Sequence, residues 1–134
     1  QLLMHTASPA NYLRVLELRK TEDVALLDAE RKIFGFAHTD AGRMLALAWK
    51  LPEDIVEAIV AHHEPDELGS EIGNLIHVSE VLSHALDLGE QPNNRVSELS
   101  DLAYASLGLS WPRLSTRFAE IEARYDGFSS ALGI

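Results

Sequence analysis

Residues 38–65 read HTDAGRMLALAWKLPEDIVEAIVAHHEP, and this stretch decides the fold. Apolar residues recur at helical spacing on both sides of the segment 49–52, which indicates two amphipathic helices. Pro52 suits the first turn of a helix, and the two acids after it favour the same position because the N-terminal end of the helix dipole is positive. The stretch therefore predicts two helices joined by a tight corner at Trp49.

Trp49 at that corner has two interpretations. Its indole can be a wedge that packs between the two helices, which is the commoner role of such a residue. It can also be an exposed aromatic side chain that docks a partner protein.

Helical periodicity continues on either side of this stretch. No segment shows the apolar–polar alternation of a half-buried strand. Ser8 before Pro9 is typical of a helix start, and Thr21 and Thr39 are predicted N-caps of two further helices. Gly35 is predicted to end the helix that begins at Thr21, because glycine is the common residue just beyond a helix C-terminus.

The longest predicted helix covers residues 71–88. Its expected inward side chains are Ile72, Leu75, Ile76, Val81, Leu82 and Leu86. Beyond it we expect a loop containing Gly89, Pro92, Asn93 and Asn94, and two more helices over 98–107 and 111–125. The sequence thus predicts an all-α domain, a compact bundle of six to seven short helices.

Composition and charge exclude several function classes. The 134 residues form a chain of domain size with a net charge of −10, which repels nucleic-acid phosphates and anionic membrane surfaces. No apolar run has the length of a spanning helix, and the first residues do not resemble a secretory signal. Cysteine is absent, so thiolate metal sites and cysteine nucleophiles are excluded. We expect a cytoplasmic protein without nucleic-acid or membrane partners.

The adjacent pair His62 and His63 is the densest group of possible metal ligands. Neighbouring positions on a helix point about 100° apart, so we expect the two rings not to meet one ion unless the helix unwinds locally. The simpler interpretation is that a cationic histidine at this helix end offsets the negative end of the dipole. His38, just before a predicted helix, is either a loop histidine or N-terminal cap partner, or a ligand directed at a cleft. His77 and His84 are interpreted as structural.

Other catalytic motifs are missing from the sequence. There is no Gly-x-Ser-x-Gly elbow, no phosphate loop and no Gly-x-Gly-x-x-Gly dinucleotide fingerprint.

Taken in order, the residues from Glu30 to Pro65 resemble the HDOD domain, a bacterial signalling domain related to the HD-type metal phosphohydrolases. The shared elements are the acid at 30, the run FGFAHTDAG at 34–42, WKLP at 49–52 and HHEP at 62–65. The resemblance is clear over about residues 27–90. It implies one HD-domain-like helical domain over residues 1–134 that lacks the N-terminal helices and the His-Asp dyad. The motif residues expected to be structural or to take part in interactions are Gly35, Gly42, Trp49 and Pro52.

The resemblance also identifies a cleft. His38, His62 and His63 match positions that supply imidazole ligands in metal-binding HD-GYP relatives, and Glu80 falls where active relatives place a metal-binding Asp. With the dyad missing and Glu in place of Asp, the cleft is expected to be vestigial, with no catalytic residue, no metal and no cofactor.

Two functions follow as hypotheses. The first is a non-catalytic signal-transduction output module whose partner is another protein, a linked sensor or effector domain, or a second copy. The alternative is a metal-dependent phosphohydrolase that uses His38, His62, His63 and Glu80. We further expect a homo-oligomer, since apolar surface left uncovered on a helical domain favours self-association.

Overall fold

The computed structural model describes residues 1–65, 70–88 and 96–133, and in these ranges α-helices are joined by turns and short loops, with no strand. The predicted fold class is confirmed, although the helices within these ranges are more numerous and shorter than expected. They are α1 (Leu2–Ala7), α2 (Pro9–Glu22), α3 (Leu26–Phe34), α4 (His38–Ala48), α5 (Glu53–Ala61), α6 (Glu71–Ala85), α7 (Asp101–Ser106), α8 (Trp111–Ser115) and α9 (Phe118–Leu132).

Several predicted helix boundaries are confirmed. Pro9 is the first residue of α2, and Pro52 directly precedes α5. Gly35 follows α3 with a φ of 82°, a left-handed conformation that glycine adopts without steric cost.

The two threonine caps are wrong. Thr21 lies inside α2, where its hydroxyl donates a hydrogen bond to the Glu17 carbonyl at 3.0 Å. Thr39 is a buried residue within α4, and the start of that helix is instead held by Asp40, whose carboxylate accepts a hydrogen bond from the Ala37 N–H at 2.8 Å. A threonine hydroxyl can bond back to the preceding helical turn as well as cap the next one, so its presence does not fix a boundary.

The second half of the chain departs further from the prediction. The helix expected over 111–125 is two helices, α8 and α9, and α6 ends at Ala85 rather than at residue 88. Leu75 and Ile76 are 54% and 40% exposed, so they do not point inward as predicted. The loop predicted at Gly89, Pro92, Asn93 and Asn94 lies outside the described residues.

Small residues bring α4, α5 and α6 close together. A Cβ atom added to Gly42 would lie 2.6 Å from the Cγ2 of Ile59, and one added to Gly73 would lie 3.0 Å from the Cβ of Ala61. Ala46 on α4 and Ala58 and Ala61 on α5 are also buried. Because α4 and α5 pack this closely, the first residue of α4 lies beside the last turn of α5.

The main helix–helix contacts connect α1 with α2, α2 with α3, α4 with α5, α5 with α6, and α6 with α7. In the described ranges no helix is both long and apolar enough to cross a membrane.

Candidate functional site

Three histidines converge where α4 begins and α5 ends. His38 is the first residue of α4, and His62 and His63 directly follow α5. The Nε2 atom of His38 lies 3.1 Å from Nε2 of His63 and 3.4 Å from Nε2 of His62. One nitrogen from each ring lies within 4.8 Å of the others, which is a spacing at which three imidazoles could hold one metal ion.

The expectation that His62 and His63 would not meet one ion holds only for a continuous helix. Because α5 ends at Ala61, both histidines lie beyond the helix, and the exception of a locally unwound helix applies. The two ring centroids are 4.1 Å apart, and both rings face His38.

Glu30 orients His38. Its side chain is fully buried on α3, and its Oε2 atom lies 2.7 Å from Nδ1 of His38 and accepts the His38 backbone N–H at 2.8 Å. A carboxylate at Nδ1 places the ring proton there and leaves Nε2 as a lone-pair donor toward the cluster.

The other two rings are oriented in the same way. Nδ1 of His62 lies 2.9 Å from the Ile59 carbonyl, and Nδ1 of His63 lies 3.5 Å from Oε2 of Glu80. All three histidines thus have an oxygen beside Nδ1 and present Nε2 to the common centre. Carbonyl and carboxylate partners at the distal nitrogen are the arrangement found around histidine ligands in metalloproteins.

His77 supports the cluster from α6. Its Nδ1 atom lies 2.9 Å from the carbonyl of His62, and its Nε2 accepts a hydrogen bond from the backbone N–H of Ser100 at 3.1 Å. The ring is buried, so the predicted structural role agrees with its position. It ties the residue after α5 to the start of α7.

Burial disfavours the charged forms of His62 and His63. Two effects lower the pKa of His63 to about 3: desolvation by burial is the larger, and the nearby His62 is the next. Desolvation also lowers the pKa of His62. His63 is therefore uncharged at neutral pH, and the interpretation of this pair as cations that offset a helix dipole is wrong for it.

Glu80 lies at the edge of the cluster rather than within it. Its carboxylate approaches His63 at the nitrogen that faces away from the centre. Of the four predicted cleft residues, the structure brings three together and leaves the fourth behind one of them.

An open cavity of about 550 Å³ adjoins the cluster on the side of His63. Its lining includes the acidic residues Glu64, Glu98 and Asp101. Such a lining repels an anionic substrate unless a bound cation compensates.

The motif residue Trp49 is 66% exposed, so the wedge interpretation is wrong. The corner is closed by the backbone instead, through hydrogen bonds from Lys50 N–H to the Leu47 carbonyl and from Leu51 N–H to the Ala46 carbonyl. Lys50 adopts a positive φ of 55° to make this turn. Gly35 and Pro52 bound helices, as described above, and Gly42 allows α4 to approach α5.

Sequence reasoning missed Glu30 and the support from His77 as parts of the site. A signal for Glu30 was present: it occupies an inward position of α3, three residues after the buried Leu27. An acid on the apolar face of an amphipathic helix needs a buried partner, and that partner is His38.

Residues 1–65 match the family model of the HDOD domain. The predicted resemblance to the HDOD domain is therefore confirmed over these residues. No curated protein and no solved structure matches the chain. The HDOD match begins earlier than residue 27, where the resemblance was expected to become clear, and ends at Pro65. It contains Glu30 and all three clustered histidines, while Glu80 and His77 lie beyond it.

Proposed function

We propose that the chain is a non-catalytic output module of bacterial signal transduction that acts through contacts with other proteins. The HDOD match supports the family context. The composition of the cluster carries the proposal: in the described ranges, the only group of three or more possible metal ligands is made of His38, His62 and His63, with no carboxylate among them. HD-type hydrolysis is expected to need carboxylate ligands as well, and Glu80 faces the wrong nitrogen of His63 to supply one.

Electrostatics support the same proposal. The chain carries a net charge of −10, and three acids line the cavity beside the cluster. A phosphate ester entering that cavity would meet repulsion, whereas a protein partner can bind elsewhere on the surface.

The corner between α4 and α5 offers an interaction surface. Met44 and Leu47 lie one turn apart on α4, Trp49 follows, and all three side chains are exposed. Exposed aromatic and methionine side chains are enriched in protein interfaces. The proposal includes a partner, which is another protein, a linked domain or a second copy of the chain. It also includes a cytoplasmic setting.

A metal-dependent phosphohydrolase is the second candidate, because the three Nε2 atoms are already directed at one point. His38, His62 and His63 would hold the ion there, and a bound divalent metal would lower the pKa of a water molecule enough to make it a nucleophile. Three histidines plus a water is a ligand set used by catalytic zinc.

Turnover of bis-p-nitrophenyl phosphate separates the two candidates. The chain would be assayed with Zn²⁺, Mn²⁺ and Fe²⁺ added in turn, alongside His62→Ala and the control His5→Ala, whose exposed ring lies against Tyr12. The output-module proposal expects no metal-dependent turnover in any of the three proteins. Hydrolysis that requires metal, is lost in His62→Ala and persists in His5→Ala would overturn it in favour of the enzyme.

A further inference from the structure

The helix α9 carries an apolar stripe with a regular period. Phe118, Ile121, Tyr125, Phe128 and Leu132 are separated by alternating steps of three and four residues. This is the a and d pattern of a heptad repeat, which places all five side chains along one seam of the helix.

The described chain covers this seam only in part: Phe118, Ile121 and Tyr125 are half-buried, whereas its C-terminal end is exposed. No residue of α9 is buried, and Phe128 and Leu132 are 63% and 58% exposed. The main helix–helix contacts end at α7, and the ring of Phe118 lies 5.9 Å from that of Trp111 on the neighbouring α8. A helix of this length is marginal in water without a tertiary or quaternary partner.

We propose that α9 pairs with α9 of a second copy of this chain as a short, parallel, two-stranded coiled coil. The inference deepens the proposed role in protein interaction by naming one partner and the surface it uses. A seam of period 3.5 is satisfied by another helix with the same period, and a second α9 supplies one.

Charges beside the seam set the orientation. Arg117 occupies a g position and Glu122 the following e position. In a parallel pair, Arg117 of one copy faces Glu122 of the partner subunit, and symmetry makes this contact twice. An antiparallel pair that layers Ile121 against Tyr125 would instead set Arg124 against Arg124 and Glu122 against Glu122.

The ion pairs within one copy do not prevent this exchange. Arg117 lies 2.7 Å from Glu120, and Arg124 lies 2.8 Å from the same residue, but these side chains are well exposed. Exposed pairs of this kind contribute little, so Arg117 is available to an interhelical partner.

Sedimentation equilibrium tests whether the seam is the interface. We expect the chain to associate to twice its 14.8 kDa mass. Ile121→Asp places a charge in the seam and should raise the dimer dissociation constant by about 100-fold or more. Ala123→Asp introduces the same charge on the opposite face of α9 and should leave association nearly unchanged. A chain that is monomeric at all concentrations, or a dimer equally strong in Ile121→Asp, would overturn the proposal.

Cross-linking and charge exchange test the orientation. Because the chain contains no cysteine, Ile121→Cys introduces a single thiol that should form an intermolecular disulfide, whereas Ala123→Cys should not. Glu122→Arg should weaken the dimer, and Arg117→Glu combined with Glu122→Arg should restore it. Failure of both results would rule out the parallel pair without bearing on the absence of phosphohydrolase activity, which the turnover assay tests separately.

Discussion

The region around the histidine cluster and the C-terminal helix α9 differ in how far their side chains are buried within one chain. In the first, glycine and alanine let α4, α5 and α6 approach closely, and a buried carboxylate holds an imidazole in one orientation. In the second, large apolar side chains lie along a helix that buries none of its own residues. The first region is complete within one chain, whereas we propose that a second copy covers the seam of α9.

Glu30→Ala is the change expected to break the cluster region most severely. It removes the acceptor for two donors of His38, its backbone N–H and its Nδ1–H, and leaves both poorly solvated. We expect a loss of about 3 kcal/mol in the free energy of unfolding, measured by urea denaturation. Glu120→Ala is the matched control on α9, because its carboxylate also has two partners, Arg117 and Arg124, but is exposed to solvent. Equal shifts in the two variants would contradict the buried role of Glu30.

The pH dependence of stability should also come mainly from the cluster region. In the folded chain the pKa of His63 is lowered to about 3, whereas an unfolded histidine titrates near 6.5. The unfolded state therefore binds the extra proton first as pH falls. Protonation of His63 does not affect the free energy of unfolding above about pH 6.5. Between there and about pH 3 it lowers that free energy as pH falls, and below about pH 3 it has no further effect.

We expect His63 to contribute about 2 kcal/mol to the loss of stability between neutral pH and about pH 4, a value reduced because the ring keeps some solvent contact. Urea midpoints measured across this range should vary less with pH in His63→Gln than in the unmodified chain. His5→Gln replaces an exposed histidine and should leave the slope unchanged. The same slope in both variants would show that His63 is not held neutral by folding.

The contrast between the two regions also explains what could be read from the sequence. Periodicity predicts the helices because each amphipathic face needs a neighbour, and Pro52 and Gly35 mark boundaries that depend on local backbone geometry alone. The caps predicted at Thr21 and Thr39 are wrong because a threonine hydroxyl finds partners on both sides of a helix start. Where a partner lies far away in sequence, as Glu64 does for Arg31 across 33 residues, local pattern carries no information about the contact.

The histidine cluster depended on such a distant relation. Convergence of His38 with His62 and His63 requires α4 and α5 to pack closely, and α5 to end at Ala61. In the sequence, only Gly42 indicates that α4 and α5 pack closely. Helical spacing does not indicate that α5 ends at Ala61. The resemblance to a family includes the three histidines that the structure brings together, but their common orientation through Nδ1 is visible only in the structure.

One substitution, glycine to alanine, should have opposite effects in the two regions. At Gly42 the added Cβ would lie 2.6 Å from Cγ2 of Ile59, a branched side chain that cannot swing aside without moving α5. We expect Gly42→Ala to destabilise the chain by about 1 kcal/mol or more, because the steric cost exceeds the gain in helix propensity.

At Gly127, in the middle of α9, an added Cβ has no atom within 4 Å. Gly127→Ala should therefore stabilise α9 by about 1 kcal/mol through its higher helix propensity, and so raise the helicity of the chain. Since residue 127 lies off the apolar seam, the substitution should also strengthen dimerisation. Circular dichroism and sedimentation measure the two effects, and a loss of helicity in Gly127→Ala would mean that this position is packed against something after all.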